Sequence, residues 1–158
     1  MKTYIVIAEE SERELINELV DWGIIQKAKV IVTGVGGLNV IESLKKLSKR
    51  STIVNVGYVG SNNLDPGTNL VVGRSSLYHP NVRFNSPVYD LDTLGRDHYY
   101  SCFTSNDFVL FTKVKATVVF DMELAFICSL GFKKVISFKK VSDKLDYKQH
   151  RAVVREKE

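Results

Sequence analysis

The chain has 158 residues, 44% of them hydrophobic, and a net charge of +4. That is enough apolar material for one domain with its own core, and no run approaches the ~18 consecutive apolar residues of a membrane span. The pI near 9.0 does not imply nucleic acid. The basic groups Lys45-Lys46, Lys49-Arg50, Lys133-Lys134 and Arg155-Glu156-Lys157 fall where solvated faces are expected, without interleaved stacking aromatics.

Met1-Lys2-Thr3-Tyr4-Ile5-Val6-Ile7-Ala8 superficially resembles a leader, but Glu9 and Glu10 interrupt it, so Thr3 to Ile7 reads as a first buried strand. Ser11-Glu12-Arg13-Glu14 has the form of a capping box, with Ser11 at the N-cap and Glu14 at N3. Leu15, Ile16, Leu19 and Val20 then recur on one face of a helix closing near Trp22-Gly23. Lys29 to Thr33 reads as a second parallel strand. After it, Gly34-Val35-Gly36-Gly37 can turn backbone N–H groups toward a phosphate or sugar, although the third glycine of a dinucleotide fingerprint is absent. Leu38, Ile41, Leu44 and Leu47 predict an amphipathic helix with Lys45, Lys46 and Lys49 outward.

Ser51 to Val56 is a third buried strand, leading into a loop of Gly57-Tyr58-Val59-Gly60-Ser61-Asn62-Asn63 and a turn at Leu64-Asp65-Pro66-Gly67. Asn69 to Gly73 is expected as a short strand, and Arg74 to Thr93 as loop with one edge strand. His98 to Phe103 reads as strand, followed by the turn Thr104-Ser105-Asn106-Asp107, where Asn106 suits a left-handed conformation. Ala116 to Phe120 is a further strand ending on Asp121, the expected N-cap of a helix that carries Glu123 in its first turn and closes at Leu130-Gly131. Lys134 to Phe138 is the last predicted strand; Val141-Ser142-Asp143 ends the readable pattern, and 144–158 is charged enough to fray. Alternating strands and helices without repeats or a linker predict a single α/β domain over 1–158, a three-layer αβα arrangement around a mainly parallel, mixed sheet.

Glu12, Glu123 and Asp143 then stand at separate strand ends. Parallel strands bring such ends together, and convergent carboxylates in a partly dry cleft can divide into acid and base. Acids in first helical turns also serve the helix dipole, which accounts for Glu12 and Glu123 without any function. Two cysteines, Cys102 and Cys128, with no CxxC spacing, and three histidines give no metal site or disulfide framework. The cysteines read as small buried hydrophobes of a reducing compartment, expected to be the cytoplasm.

Val32-Thr33-Gly34-Val35-Gly36, Val54-Asn55-Val56-Gly57-Tyr58-Val59-Gly60, Thr104-Ser105-Asn106-Asp107-Phe108, Asp121-Met122-Glu123-Leu124-Ala125 and Val141-Ser142-Asp143 follow one another in that order. Together they resemble the nucleoside phosphorylase/nucleosidase superfamily, and within it most nearly the 5′-methylthioadenosine/S-adenosylhomocysteine nucleosidases, in shortened form. The resemblance implies hydrolysis of a purine nucleoside's N-glycosidic bond without a cofactor or metal. Glu12 would activate water and Asp143 would donate to N7 of the leaving base, supported by Ser142. Glu123 would hold the ribose hydroxyls with Met122 against the sugar. Phe108 would stack on the purine and Val109 would meet its edge through the backbone, while Ala8 and Gly60 keep the water and sugar pocket open. It also implies a homodimer or larger homo-oligomer; the charge pattern and the lack of a long apolar run lead us to expect no nucleic-acid or membrane partner.

Several positions depart from the family pattern. Asn106 replaces a glycine, Tyr58 replaces a small residue, and Asn55-Val56-Gly57 offers no arginine for phosphate, which favours hydrolysis over phosphorolysis. Arg74 and Arg83 of the long loop are the candidates for a phosphate contact. The chain is short after its first helix, in its centre and after the Ser-Asp pair, so 144–158 is expected not to cover the base. That shortening keeps open a non-catalytic nucleoside-binding protein.

Overall fold

The structure is a computed structural model that describes residues 2–23, 25, 27–79 and 86–155. Arg83, one of the two candidate phosphate contacts, lies outside the described residues. Eight strands and four helices follow in the order β1 (Thr3–Ile7), α1 (Arg13–Leu19), β2 (Lys29–Val32), α2 (Gly37–Leu44), β3 (Thr52–Ser61), β4 (Asn69–Leu77), β5 (Tyr89–Asp90), β6 (Tyr100–Thr104), β7 (Val119–Asp121), α3 (Leu124–Ser129), β8 (Lys134–Asp143) and α4 (Tyr147–Arg155). A single 3-10 turn, Glu10–Glu12, leads into α1.

The sheet is mixed. β2, β1, β3 and β8 run parallel to their neighbours, as do β4, β6 and β7, while β3 meets β7 and β4 meets β8 antiparallel. The α/β class and mixed sheet are therefore as expected. The sheet does not lie fully open between helical layers, however, because β3, β8, β4, β6 and β7 pair in turn back to β3 and close into a ring. Closure removes two edges that would otherwise present unpaired backbone.

Two ten-residue strands make this possible. β3 and β8 each outlast the expected strand by several residues, so their first halves pair with each other beside β1 and their second halves enter the ring. Along β1 and the first half of β3, alternate residues serve opposite faces. Ile5, Ile7, Val54 and Val56 pack with Leu15 and Ile16 of α1 and Val154 of α4, whereas Val6 and Ile53 pack with Val40 and Leu44 of α2 and Ile127 of α3. Val59, Val72, Cys102, Val119 and Val141 fill the ring end. Fully burying one such aliphatic side chain contributes about 1.5–3 kcal/mol.

Several local expectations change. The capping box sits two residues earlier than Ser11 and Glu14: Glu9 is the N-cap of the 3-10 turn, and Glu12 answers it. On α2 the buried positions are Gly37, Val40 and Leu44, and Leu38 is 75% exposed. A Cβ on Gly37 would stand 2.7 Å from the Phe126 ring, so α2 approaches α3 on its glycine and the apolar stripe turns away from Leu38. Asn106 does not take a left-handed conformation; Leu94 and Leu145 are the non-glycine residues with positive φ among the described residues. The tail expected to fray from 144 onward carries α4. Both cysteines are free thiols, Cys102 buried and Cys128 partly so. Among the described residues no helix is long and apolar enough to cross a membrane.

Candidate active site

β1 ends at Ile7, and the 3-10 turn that follows folds Glu12 back under the strand end. Glu12 Oε1 accepts the N–H groups of Ala8 (2.9 Å) and Glu9 (3.0 Å), and Oε2 accepts that of Tyr58 on β3 (3.1 Å). This placement explains why β3 continues through Gly57. A Cβ there would lie 2.7 Å from Glu12 Oε2 and 3.4 Å from Lys139 Nζ, so the strand carries a glycine where two charged groups press against its backbone. Gly60 has the same relation to Asp143, whose Oδ2 would be 2.8 Å from an added Cβ. The residues read as a glycine loop are thus strand, with glycines where side chains from neighbouring elements need the room.

Asp121 ends β7, the strand of the ring between β3 and β6. Its carboxylate accepts the Leu124 N–H at 2.8 Å and the Thr104 hydroxyl, and Lys139 Nζ lies 3.3 Å from Oδ2. The N-cap position itself belongs to Glu123, and Asp121 supports α3 from two residues upstream. Glu123 Oε2 accepts the Gly36 N–H at 2.9 Å, and Asn106 Oδ1 accepts that of Gly37 at 3.3 Å. Two N–H groups expected to face a phosphate or sugar are therefore taken by side chains of this chain. Gly36 turns at φ 91° to make the first bond, a conformation open to glycine and costly for other residues.

β8 delivers Lys139, Ser142 and Asp143. Ser142 Oγ donates to Asp143 Oδ1 at 2.6 Å, and Asp146 N–H donates to Oδ2 at 3.1 Å. α4 then returns over these groups. Its Tyr147 and His150 rings stand 5.2 and 5.5 Å from the Phe108 ring, and His150 is 6.2 Å from Tyr58.

The result is a cavity of about 280 Å³ lined by Ala8, Glu12, Gly60, Phe108, Val109, Met122, Glu123 and Asp143, with Tyr58, Val35 and the α4 residues Tyr147, His150 and Arg151 completing the wall. Eight of the nine residues singled out from sequence reach it. The ninth, Ser142, is fully buried behind Asp143. The acids converge by an unexpected route, since Glu123 arrives on β7, antiparallel to β3. The expectation that 144–158 leaves the site uncovered is corrected by α4. Arg74 pairs with Asp90 on β5 at 3.5 Å and is not part of the cavity wall.

Four acids, Glu12, Asp121, Glu123 and Asp143, and one lysine share this interior, and burial shifts Glu12, Glu123 and Asp143. Burial raises Glu12 above the usual carboxylate range, against the Lys139 cation and three N–H donors that favour its charged form. Burial, with the charge of Asp121 beside it, pushes Glu123 up to about 8, so neutral pH favours its protonated form. Burial also raises Asp143, against the Ser142 hydroxyl. For Lys139, 1% exposed, burial opposes the charge, but Asp121, Glu123 and Glu12 outweigh it and hold the ammonium above its ordinary range. A buried base, a proton-bearing carboxyl and a second raised acid around one cleft can run acid and base chemistry together. Among the described residues no three His, Cys, Asp or Glu side chains group to hold a metal ion.

Lys139 and His150 were not singled out from the sequence. A lysine between Phe138 and a buried Val141, on a strand that supplies an acid, was the available signal for the first. The i, i+3 spacing of Tyr147 and His150 was the signal for the second.

No protein-family model matches the chain, and neither does any curated relative. Its fold matches solved structures over 99% of its length. An MTA/SAH nucleosidase of Streptococcus pneumoniae in complex with 8-aminoadenine aligns at TM-score 0.70 and 16% identity, covering 91% of that chain. The MTAN of Chlamydia trachomatis aligns at 0.77 and 14%, covering 89%. Futalosine hydrolase of Helicobacter pylori aligns at 0.72 and 14%, covering 92%. The chain has the nucleoside phosphorylase/nucleosidase fold.

Proposed function

We propose that this protein hydrolyses the N-glycosidic bond of a purine nucleoside, of methylthioadenosine type, and releases the free base. The observation that carries the reading is the meeting of Glu12, Glu123 and Asp143 from three separate elements in one cavity, each with its proton held more tightly than usual. Glu12 Oε2 accepts one N–H and keeps acceptor capacity to take a proton from water, while the Lys139 cation favours the carboxylate needed for that role. Glu123, protonated at neutral pH, both donates to and accepts from the two ribose hydroxyls, with Met122 against the sugar face. Asp143 protonates N7 as the bond to the base breaks, which neutralises the leaving group while the sugar becomes oxocarbenium-like. Ser142 supports Asp143, Phe108 stacks on the base, Val109 meets its edge, and Ala8 and Gly60 leave room for water and sugar.

Water is favoured over phosphate as the attacking group because Asn55-Val56-Gly57 carries no arginine and Arg74 is paired with Asp90 away from the cavity. The chain is read as one domain of this kind, working in the cytoplasm. A homodimer or larger homo-oligomer is supported by exposed Leu110 and Phe111 beyond Val109, and by Val35 at the cavity rim continuing to Leu38.

A second reading, a nucleoside-binding protein without catalysis, is favoured by Tyr58, whose ring lines the cavity beside Glu12's hydrogen-bond donors. Purified protein incubated with adenosine, inosine, methylthioadenosine and S-adenosylhomocysteine, with and without phosphate, separates them. Phosphate-independent release of base supports hydrolysis. Release only with phosphate, giving ribose 1-phosphate, replaces it by phosphorolysis. No release together with a nucleoside-dependent rise in Tm establishes binding alone.

A further inference from the structure

A line of hydrogen bonds leads from the cavity into α4. Ser142 Oγ donates to Asp143 Oδ1 at 2.6 Å and lies 2.8 Å from His150 Nδ1. His150 Nδ1 is 3.8 Å from that carboxylate oxygen, too far to bond it directly. The other oxygen, Asp143 Oδ2, lies over Gly60 on the cavity wall. Ser142 and Asp143 are fully buried, so the bond between them is shielded from solvent, while the one to His150 is part-buried.

A hydroxyl has one proton to give. Around Ser142 Oγ stand Asp143 Oδ1, His150 Nδ1 and, at 3.5 Å, the Val59 carbonyl. When Nδ1 carries a hydrogen it donates to Oγ, and the hydroxyl proton is committed to Asp143 Oδ1. Oδ1 then accepts the short 2.6 Å hydroxyl bond and Oδ2 only the longer 3.1 Å bond from the Asp146 N–H, which leaves Oδ2 the more weakly engaged oxygen and the one that carries the acidic proton of Asp143 toward the cavity. When Nδ1 is bare it competes for the hydroxyl proton, Oδ1 loses its donor, and the Asp143 proton moves to Oδ1, where Oγ accepts it and it faces away from the cavity. The tautomer of one imidazole thus selects which oxygen presents the acid.

We propose that His150 is a positioning residue for the acid of this site, holding the Asp143 proton on its cavity-facing oxygen through Ser142. The proposal rests on the nucleosidase reading above. In the step it serves, the C1′–N9 electron pair goes to the base and the Asp143 Oδ2–H proton goes to N7. The water oxygen bonds C1′ and its proton goes to Glu12. Asp143 is left as the carboxylate and is reset when the proton gained by Glu12 returns through solvent, while Ser142 and His150 keep their protons throughout.

The surroundings hold the ring in place. Phe108, Tyr58 and Tyr147 surround it at 5.5, 6.2 and 6.4 Å, and the charged groups facing it are Asp143 of β8, Glu9 before the 3-10 turn and Arg151 of α4. Burial lowers His150 below its ordinary value, so near neutral pH the ring is uncharged and its tautomer is what decides.

The test joins a spectroscopic readout to a kinetic one. Long-range 1H–15N spectra of the full chain, with the His150 signals identified by their loss in His150→Asn, are expected to give the Nδ1–H tautomer, shifting toward Nε2–H in Ser142→Ala. On a nucleoside that the parent cleaves, His150→Leu is expected to lower kcat about tenfold with KM within about twofold. His150→Asn, whose amide nitrogen donates from nearly the position of Nδ1, restores kcat to within about threefold of the parent. An Nε2–H tautomer in the parent, or equal kcat in the Leu and Asn variants, overturns the proposal. If the parent cleaves no nucleoside, the functional reading fails and the tautomer alone decides on the hydrogen-bond chain.

Discussion

Glu123→Gln isolates the electrostatics of the buried acid cluster. The amide has the shape of the protonated carboxyl, still accepts the Gly36 N–H through its oxygen, and cannot ionise. Glu123 goes from an ordinary value of 4.5 to about 8 in the folded protein, which corresponds to about 5 kcal/mol of preference for the protonated form at 1.36 kcal/mol per tenfold. The folded chain therefore keeps this proton between pH 4.5 and 8 where the unfolded chain has lost it, and the stability it contributes falls as pH rises across that window. Asp121 and Glu12 share the same interior and take up part of the effect, so about half of the full amount is expected in the variant. In urea unfolding, parent and variant should agree within about 0.5 kcal/mol at pH 5, and the variant should be more stable by about 2–3 kcal/mol at pH 9. Equal pH dependence of the two proteins would refute a protonated Glu123 in the folded state.

Lys139→Met leaves Asp121 buried without its cation and is expected to destabilise the fold by about 3–5 kcal/mol, read as a fall in Tm. The exposed Glu42–Lys45 pair at 3.0 Å is a control: Lys45→Ala should change stability by no more than about 0.5 kcal/mol. Gly57→Ala puts a methyl 2.7 Å from Glu12 Oε2 and is expected to cost about 1–3 kcal/mol and to depress base release. At Gly73 an added Cβ would stand 2.0 Å from the Tyr99 ring, so Gly73→Ala should likewise destabilise the fold, by about 1–3 kcal/mol. Base release should fall as pH drops through the raised value of Glu12, because water activation needs the carboxylate. That acidic limb should be missing from whatever residual rate Glu12→Gln retains.

The sequence carried the positions of the chemistry better than the elements that bring them together. Glu12, Glu123 and Asp143 are legible because each ends a strand or follows one within a few residues, and β1 and α1 are legible because their apolar periods are clean. Ring closure is not written in any local period. It depends on β3 and β8 continuing past the point where glycines and lysines break the apolar pattern. Gly57 and Gly60 read as loop because local propensity favours turns there, yet tertiary packing makes them strand, since Glu12 and Asp143 need the space a side chain would fill. Lys139 and Lys140 are adjacent in sequence. Pleating sends Lys140 to Glu18 on the surface and Lys139 into the acid cluster, and the sequence does not say which lysine turns inward. α4 reads as a fraying tail because five of its nine residues are basic or polar; Val154 and the aromatic contacts of Tyr147 and His150 hold it in place.

The most direct test of the central claim is incubation of the parent and Glu12→Gln with methylthioadenosine in H2(18)O without phosphate. The account expects the parent to release adenine with one 18O at C1 of the sugar, and the Glu12→Gln rate to fall at least about a hundredfold with the fold intact. Release of adenine by both proteins at similar rates, or no release by either from this or any other purine nucleoside, would contradict it.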